Sequence, residues 1–430
     1  MDNKIPDKSE IFIDGRNANL AGQRNKFTFR QTFSALRHRN YKLWFTGQIV
    51  SLLGSWMQMT ALGFFIYELT HSPAFLGYVG FASGIPTWIF MVYAGVIADR
   101  YPRRRILVIT QTIMMILAFI LAGLTFIHVI QPWHIILLAF CLGIANAFDA
   151  PARQAFVNEL VAREDLINAI ALNATMFHSG AAIGPAFAGI TYALLGPAWC
   201  FTINGISFLA VIYNLTQMRF AGISAKPASK SMSLAFLDGF KYLKTQKMIL
   251  IIMIIVSSSS MFGMSLVTLF PAWAVQILHG NAATNGILQT ARGVGAVLCS
   301  LLIASASKYL KRGKVLTLGM FVLPVLMILF SFNSSFLLSV LILMVIGAAF
   351  IAVNNLSNGV TQTLVSEEYR GRVMGLYSFS FFALMPLGSL LIGTVAQHLG
   401  IPTAIFINGV ILLLIYVILN LRYPKLRAIR

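Results

Sequence analysis

The sequence predicts an all-α membrane protein with 12 transmembrane helices in two six-helix bundles, related by a parallel pseudo-twofold repeat. Composition is the first observation behind this. The 430 residues are 58% hydrophobic and 10% charged, where a soluble chain carries about 25% charged residues. Charge placement is the second. Of 32 Lys and Arg residues, all but Arg292 fall in alternate gaps between apolar runs. The third is internal repetition. Residues 160–205, shifted by 204 positions, match 364–409 at 12 of 46 positions. Gly184 pairs with Gly388, Gly189 with Gly393, and Ile203-Asn204-Gly205 with Ile407-Asn408-Gly409.

A hydrocarbon core takes about 20 apolar residues of helix. The first six segments of that length are 42–68, 75–98, 105–127, 133–153, 166–195 and 198–218. The second six are 249–277, 283–307, 314–332, 335–357, 371–398 and 401–421. Helices are required because lipid leaves backbone polar groups unsatisfied. The expected organisation is a tail at 1–40, a bundle at 41–218, a linker at 219–248, a bundle at 249–421 and a tail at 422–430. Within the linker, 233–245 reads as an amphipathic surface helix.

Short loops rich in Lys and Arg stay on the cytoplasmic side. Both termini and the linker are therefore expected there, in the inner plasma membrane. Loops such as 71–73 and 279–281, which hold no Lys or Arg, are expected outside. Residues 1–40 are polar and predict no cleavable signal peptide. The net charge of +19 is loop charge facing an anionic leaflet, so no nucleic-acid partner is expected. Cys141, Cys200 and Cys299 lie in apolar runs without metal-ligand spacing, so neither a disulfide framework nor a metal is expected. Equal orientation of the two halves suits bundles that rock around a central cavity.

Three motifs stand out. The first is Gly95-Val-Ile-Ala-Asp99-Arg100-Tyr-Pro-Arg103-Arg104-Arg105, between segments two and three. Gly95 permits close helix approach, and Asp99 at the membrane face needs a cation or a helix N-terminus. The arginines also read as topology determinants. The matching second-half stretch, from Ser305 to Lys314, keeps the basic turn and lacks the acid. The second motif carries Asn146, Asp149 and Arg153 at i, i+3 and i+7, on one face near the cytoplasmic end of segment four. A structural ion pair and a gate contact both fit it. The third is Gly180, Gly184, Pro185 and Gly189 in segment five, a smooth kinked face suited to sealing or pivoting, or to plain tight packing.

The Gly95–Arg105 stretch resembles the loop signature of the major facilitator superfamily. The Gly-Pro stretch resembles that superfamily's antiporter motif, with one Gly after the proline where the motif has a pair. Ser55-Trp56-Met57-Gln58, Glu68-Leu-Thr-His-Ser72, Asn146–Gln154 and Phe201–Phe208 resemble the enterobactin-exporter-like branch. The resemblance runs from about residue 30 to 420. It implies a secondary transporter that exports amphipathic small molecules of the drug or siderophore class against proton influx. The proton gradient is its energy source, and no cofactor is implied. It also implies that Asp99 latches to the start of helix eleven, near Arg370 and Arg372, with help from Arg153.

Within the bundles, Arg292 is the one intramembrane cation, and such a residue faces a cavity or a partner. Glu68 and His178 are the proton-carrier candidates, and Gln58, Asn146 and Asn354 offer neutral polar contacts. Aromatic and Met-rich walls suit bulky apolar substrates. A lysophospholipid flippase or an importer on the same fold is the alternative transporter. A membrane-embedded enzyme would need a convergent nucleophile–base pair or a metal cluster, and neither HExxH nor GxSxG occurs. A receptor would need a soluble sensor or output domain. The expected partners are a small amphipathic substrate, protons and lipids, and the expected state is a monomer.

Overall fold

The computed structural model describes residues 33–219, 232–306 and 311–428. The first 32 residues of the tail, linker residues 220–231, the turn at 307–310 with Lys308, and residues 429–430 lie outside the described residues. Among the described residues all regular structure is helical, and 12 helices are long and apolar enough to cross a bilayer.

The first half comprises α1 (Arg39–Thr70), α2 (Pro73–Arg100), α3 (Arg103–Phe126), α4 (Pro132–Leu160), α5 (Leu166–Leu195) and α6 (Pro197–Gln217). The helix α7 (Met232–Thr245) follows. The second half comprises α8 (Lys247–Gln276), α9 (Ala282–Ala306), α10 (Arg312–Ser331), α11 (Phe336–Leu364), α12 (Arg370–Leu399) and α13 (Ile401–Arg422). Tight turns punctuate these helices. Gly196 and Gly400, 204 positions apart, take φ of 87° and 85° and join α5 to α6 and α12 to α13. A left-handed turn of this kind favours glycine because it has no Cβ. Pro197 and Pro402 then sit in the first turn of the next helix, where a missing N–H is tolerated.

In the first half, α1 packs on α5 and α6, α2 on α4, and α3 on α4 and α6. In the second half, α9 packs on α11, α10 on α11 and α13, and α12 on α8 and α13. Two helix pairs form most of the contact between the halves: α5 with α9, and α2 with α12. Positions matched by the internal repeat do matched work. Asn204 of α6 donates to Gln58 of α1 at 2.7 Å, and Asn408 of α13 donates to Ser265 of α8 at 3.2 Å. Gly184 leaves room for Trp56 of α1, and Gly388 leaves room for Met261 of α8.

Two features depart from regular expectation. The helix α4 runs through Pro151 to Leu160, beyond the apolar run that ends at 153, so Asp149 lies well inside it. Helices in a bundle survive an internal proline because the freed backbone groups are satisfied locally. The helix α8 changes pitch midway, with a π turn over Ser259–Gly263, a 3-10 stretch over Met264–Leu269 and an α-helical end over Phe270–Gln276. The Ser258 and Ser259 hydroxyls donate back to carbonyls of their own helix, and Pro271 withholds an N–H further on. Such π turns recur at functional positions.

Candidate functional site

The interface between the halves is closed at one end and apart at the other. The closed end carries the loops without Lys or Arg. There, α5 and α9 meet backbone to backbone. A Cβ added at Gly286 would lie 2.5 Å from the Pro185 carbonyl oxygen, and one at Gly189 would lie 2.9 Å from the Ala283 Cα. One at Gly293 would meet the Ala182 Cα at 2.7 Å and the Ala181 carbonyl oxygen at 2.9 Å. Pro185 explains the last contact. It has no N–H to give Ala181, whose carbonyl turns to the partner helix. The second seam joins α2 to α12. A Cβ at Gly77 would lie 2.7 Å from the Ser389 carbonyl oxygen, and one at Gly393 would lie 2.9 Å from the Gly77 Cα. Hydrogen bonds also join the halves toward this end. Thr60 donates to Gln289 at 3.2 Å, and Ser72 donates to Gln397 at 2.6 Å.

At the basic end the halves stand apart. Asp99 and Arg100, at the end of α2, are exposed, and Gly95 is buried one turn earlier. A Cβ added at Gly371 or Gly375, at the start of α12, would meet nothing within 4 Å. Among the described residues no ion pair joins the two halves. Arg103 pairs with Glu159 of α4, and Arg104 donates to the Thr216 carbonyl at 2.9 Å. Arg370 pairs with Glu367 at 3.8 Å. Arg372 faces Asp238 of α7 at 4.0 Å and lies over the Tyr369 ring, which itself stacks on Tyr242 of α7 at 4.4 Å. The gate residues expected from the sequence are thus all near this end except Asp149, but Asp99 is not brought to Arg370 or Arg372.

Asp149 is 1% exposed. It accepts hydrogen bonds from Thr110 at 2.9 Å and Gln111 at 3.0 Å, and it pairs with Arg153 at 3.3 Å. It ties α3 to α4. Gly180 and Gly184 pack on Trp56 within the first half, while Pro185, through its carbonyl, and Gly189 reach the second half.

The other sequence candidates disperse. Gln58 is held by Asn204. Glu68 accepts a hydrogen bond from Tyr192 near the closed end. Asn146 turns back to the Leu142 carbonyl at 3.1 Å. His178 is half-buried beside Phe177. Asn354 donates to the Phe350 carbonyl at 2.8 Å, and its side-chain oxygen is buried without a partner.

Arg292 points inward from α9. One guanidinium nitrogen lies 3.7 Å from the Met264 sulfur, just past the π turn of α8, and its Nε is buried without a hydrogen-bond partner. Asn285, Gln289 and Arg292 follow i, i+4 and i+7 spacing and form one polar stripe. Gln289 donates to Asn285 at 3.3 Å while accepting from Thr60. Sequence reasoning singled out Arg292 but not Asn285 or Gln289, though their helical spacing was the available signal. Near the basic end, α7, α8 and α12 border a cavity of about 340 Å³ lined by Met253, Ser257, Met261, Phe262, Ser380 and Leu384, among others.

Twelve membrane helices in two repeated halves, closed at one end by helix pairs from opposite halves, together with the family model that matches the chain, make this a transporter of the major facilitator type. The chain belongs to the transmembrane secretion effector family, which matches residues 30–429. It is 26% identical over 379 residues to the staphyloferrin A transporter of Staphylococcus aureus (strain NCTC 8325 / PS 47), covering 86% of this chain and 92% of that one. It is 21% identical over 390 residues to macrolide efflux protein A of Streptococcus pyogenes, covering 89% and 96%. It is 24% identical over 404 residues to the enterobactin exporter of Citrobacter koseri, covering 91% and 94%. The fold is similar to that of the nucleoside transporter NupG, with a TM-score of 0.70 and 16% identity over 89% of this chain and 99% of that one. It is also similar to a bacterial homologue of the human lysosomal transporter Spinster, solved inward-facing and unoccupied, with a TM-score of 0.67 and 13% identity over 93% and 98%.

Proposed function

We propose that this protein is a proton-coupled efflux antiporter that exports amphipathic small molecules from the cytoplasm by alternating access. The observation that carries this reading is the asymmetry of the interface. Backbone seams close the end without Lys or Arg, while Asp99 stands exposed at the basic end. The basic end is assigned to the cytoplasm by charge, so this state would load substrate from inside. The names of the relatives, a siderophore transporter, a siderophore exporter and a macrolide efflux protein, support outward movement of bulky compounds. Glu68, which accepts from Tyr192, is the acid we assign to proton carriage.

Reconstituted vesicles containing a trapped pH dye test both parts. Macrolides or siderophores added to the cytoplasmic face should cross and should drive opposite proton movement. Transport without proton movement would overturn coupling, and no transport of either class would overturn the efflux reading. Orientation is checked separately by labelling single cysteines at 71–73 and 279–281. An impermeant reagent should reach them from outside the cell only.

A further inference from the structure

The efflux reading leaves one group unused, the Arg292 guanidinium. Three facts about it converge. Among the described residues it is the Lys or Arg farthest from either end of its membrane helix. It points into the protein, toward Met264 of α8, and so does not reach along the lipid face to the interface. No described Asp or Glu forms an ion pair with it, and its Nε is buried and donates to nothing. A purely structural buried arginine is held by a carboxylate or by backbone carbonyls, because an unpartnered charge in low dielectric is costly. A thioether sulfur is a weak acceptor and does not neutralise it.

The surroundings also point to a ligand. The Asn285 side-chain nitrogen and the Thr290 hydroxyl are buried on the same stretch of α9 without hydrogen-bond partners. Asn285, Gln289 and Arg292 share one face, and Gly286 and Gly293 form the adjacent face that seals against α5. The polar stripe therefore begins at the closed end and finishes about 15 Å into the membrane, beside the closed seam. Thr60 of α1 reaches the same stripe from the other half. A group bound here would lie beside both halves, next to the Thr60–Gln289 contact that joins them.

We propose that Arg292, with Gln289 and Asn285 above it, is the recognition site for a singly charged oxyanion on the transported molecule. The guanidinium fork matches the two oxygens of a carboxylate or phosphodiester. One buried cation neutralises one negative charge, so a dianion is disfavoured. The side-chain nitrogens of Asn285 and Gln289 supply further donors. The inference deepens the efflux reading, which it uses only to say in which direction the anion travels.

The test is binding of 11-(dansylamino)undecanoate, compared with its uncharged primary amide, to the full-length protein in neutral-lipid nanodiscs. The wild-type protein should bind the acid about ten-fold or more tightly than the amide. Arg292→Gln should abolish that preference, and Arg292→Lys should keep part of it. In the absence of probe, Arg292→Gln should have an equal or higher thermal midpoint, since it removes an unpaired buried charge. Competition by lysophosphatidylglycerol, but not by undecanoate, would assign the oxyanion to a lipid phosphodiester, and the converse would assign it to a carboxylate. Equal binding of acid and amide by the wild type overturns the inference without needing a variant. So does full preference in Arg292→Gln, or a collapse of its thermal midpoint. Failure of vesicle efflux with intact acid preference would overturn the efflux reading alone.

Discussion

Arg372 faces Asp238 at 4.0 Å, across the junction between α7 and α12, while Asp99 is exposed at the end of α2. The linker helix thus holds the arginine that the family resemblance pairs with Asp99. In the alternating access proposed above, closure of the basic end would bring α2 toward α12, and Arg372 could exchange one carboxylate for the other. Asp99→Asn is therefore expected to reduce transport severalfold at normal membrane abundance, because the closed state loses its attraction. Asp238→Asn should act the other way on the conformational balance, exposing a cysteine at Gly375 less to reagents from the basic side. Unaltered transport in Asp99→Asn, measured in vesicles, would remove the latch.

The glycine seams give a second expectation. Gly293→Leu places carbon where the Ala182 Cα already lies, and backbone does not yield as a flexible side chain would. Overpacking of this kind costs about 1–3 kcal/mol. The closed end should loosen, and impermeant thiol reagents should reach a cysteine at Thr60 from outside. Gly359→Ala, with nothing within 4 Å, should leave both transport and accessibility unchanged.

Asp149 gives a third. Its carboxylate is the shared acceptor for Thr110, Gln111 and Arg153. Asp149→Leu strands all three and should cost about 1–3 kcal/mol for the unsatisfied groups, read as a lowered thermal midpoint. Asp149→Asn, which keeps the size and loses the charge, should fall between. A midpoint equal to wild type in the Leu variant would mean that α3 and α4 do not depend on this tie.

The start of the chain offers a pH test. A short 3-10 turn, Ser34–Arg37, docks on the start of α5, where His38 lies 2.8 Å from Asp165 and the Ala35 N–H donates to Asn168 at 3.0 Å. Hydrogen bonds from Ser34 and His38, and the charges of His38 and Arg37, hold the Asp165 carboxyl below its ordinary value. A carboxyl lowered by folding contributes fully above its unfolded value of about 3.9 and is lost only as pH falls through the lower folded value. A spin label at Phe33 should therefore stay immobile down to about pH 4 and loosen below it. Asp165→Asn should loosen it at neutral pH. Loosening of the wild type near pH 6 would point to another group.

Most of the helices were legible because the apolar runs are long and the charges punctuate them. Segment five and α5 coincide at 166–195. The helices α4 and α11 outrun their predicted segments by seven residues, to Leu160 and Leu364. Hydropathy fades there, around Arg153 and through the Asn, Gln and Thr residues of 354–363, while packing and backbone hydrogen bonds continue. The pitch change in α8 left no clear trace beyond four serines at 257–260 and Pro271. Arg292 announced itself by charge. Its polar neighbours did not, because Thr60, which completes the stripe, lies 229 positions away from Gln289. The repeat located Gly189 and Gly393 but could not say that both face the opposite half.

The two ends of the interface present different chemistry, and this bears on the medium the protein works in. The seams at Gly77, Gly189, Gly286 and Gly293 are dispersion contacts between backbones, indifferent to ionic strength. The opposite end is lined by guanidinium and carboxylate groups in water, whose attraction fades within about 8 Å at physiological salt. Under the alternating-access reading proposed above, salt on the basic side would act on one gate only, and raising it there should favour the state in which that end stands open, whatever the salt on the other side.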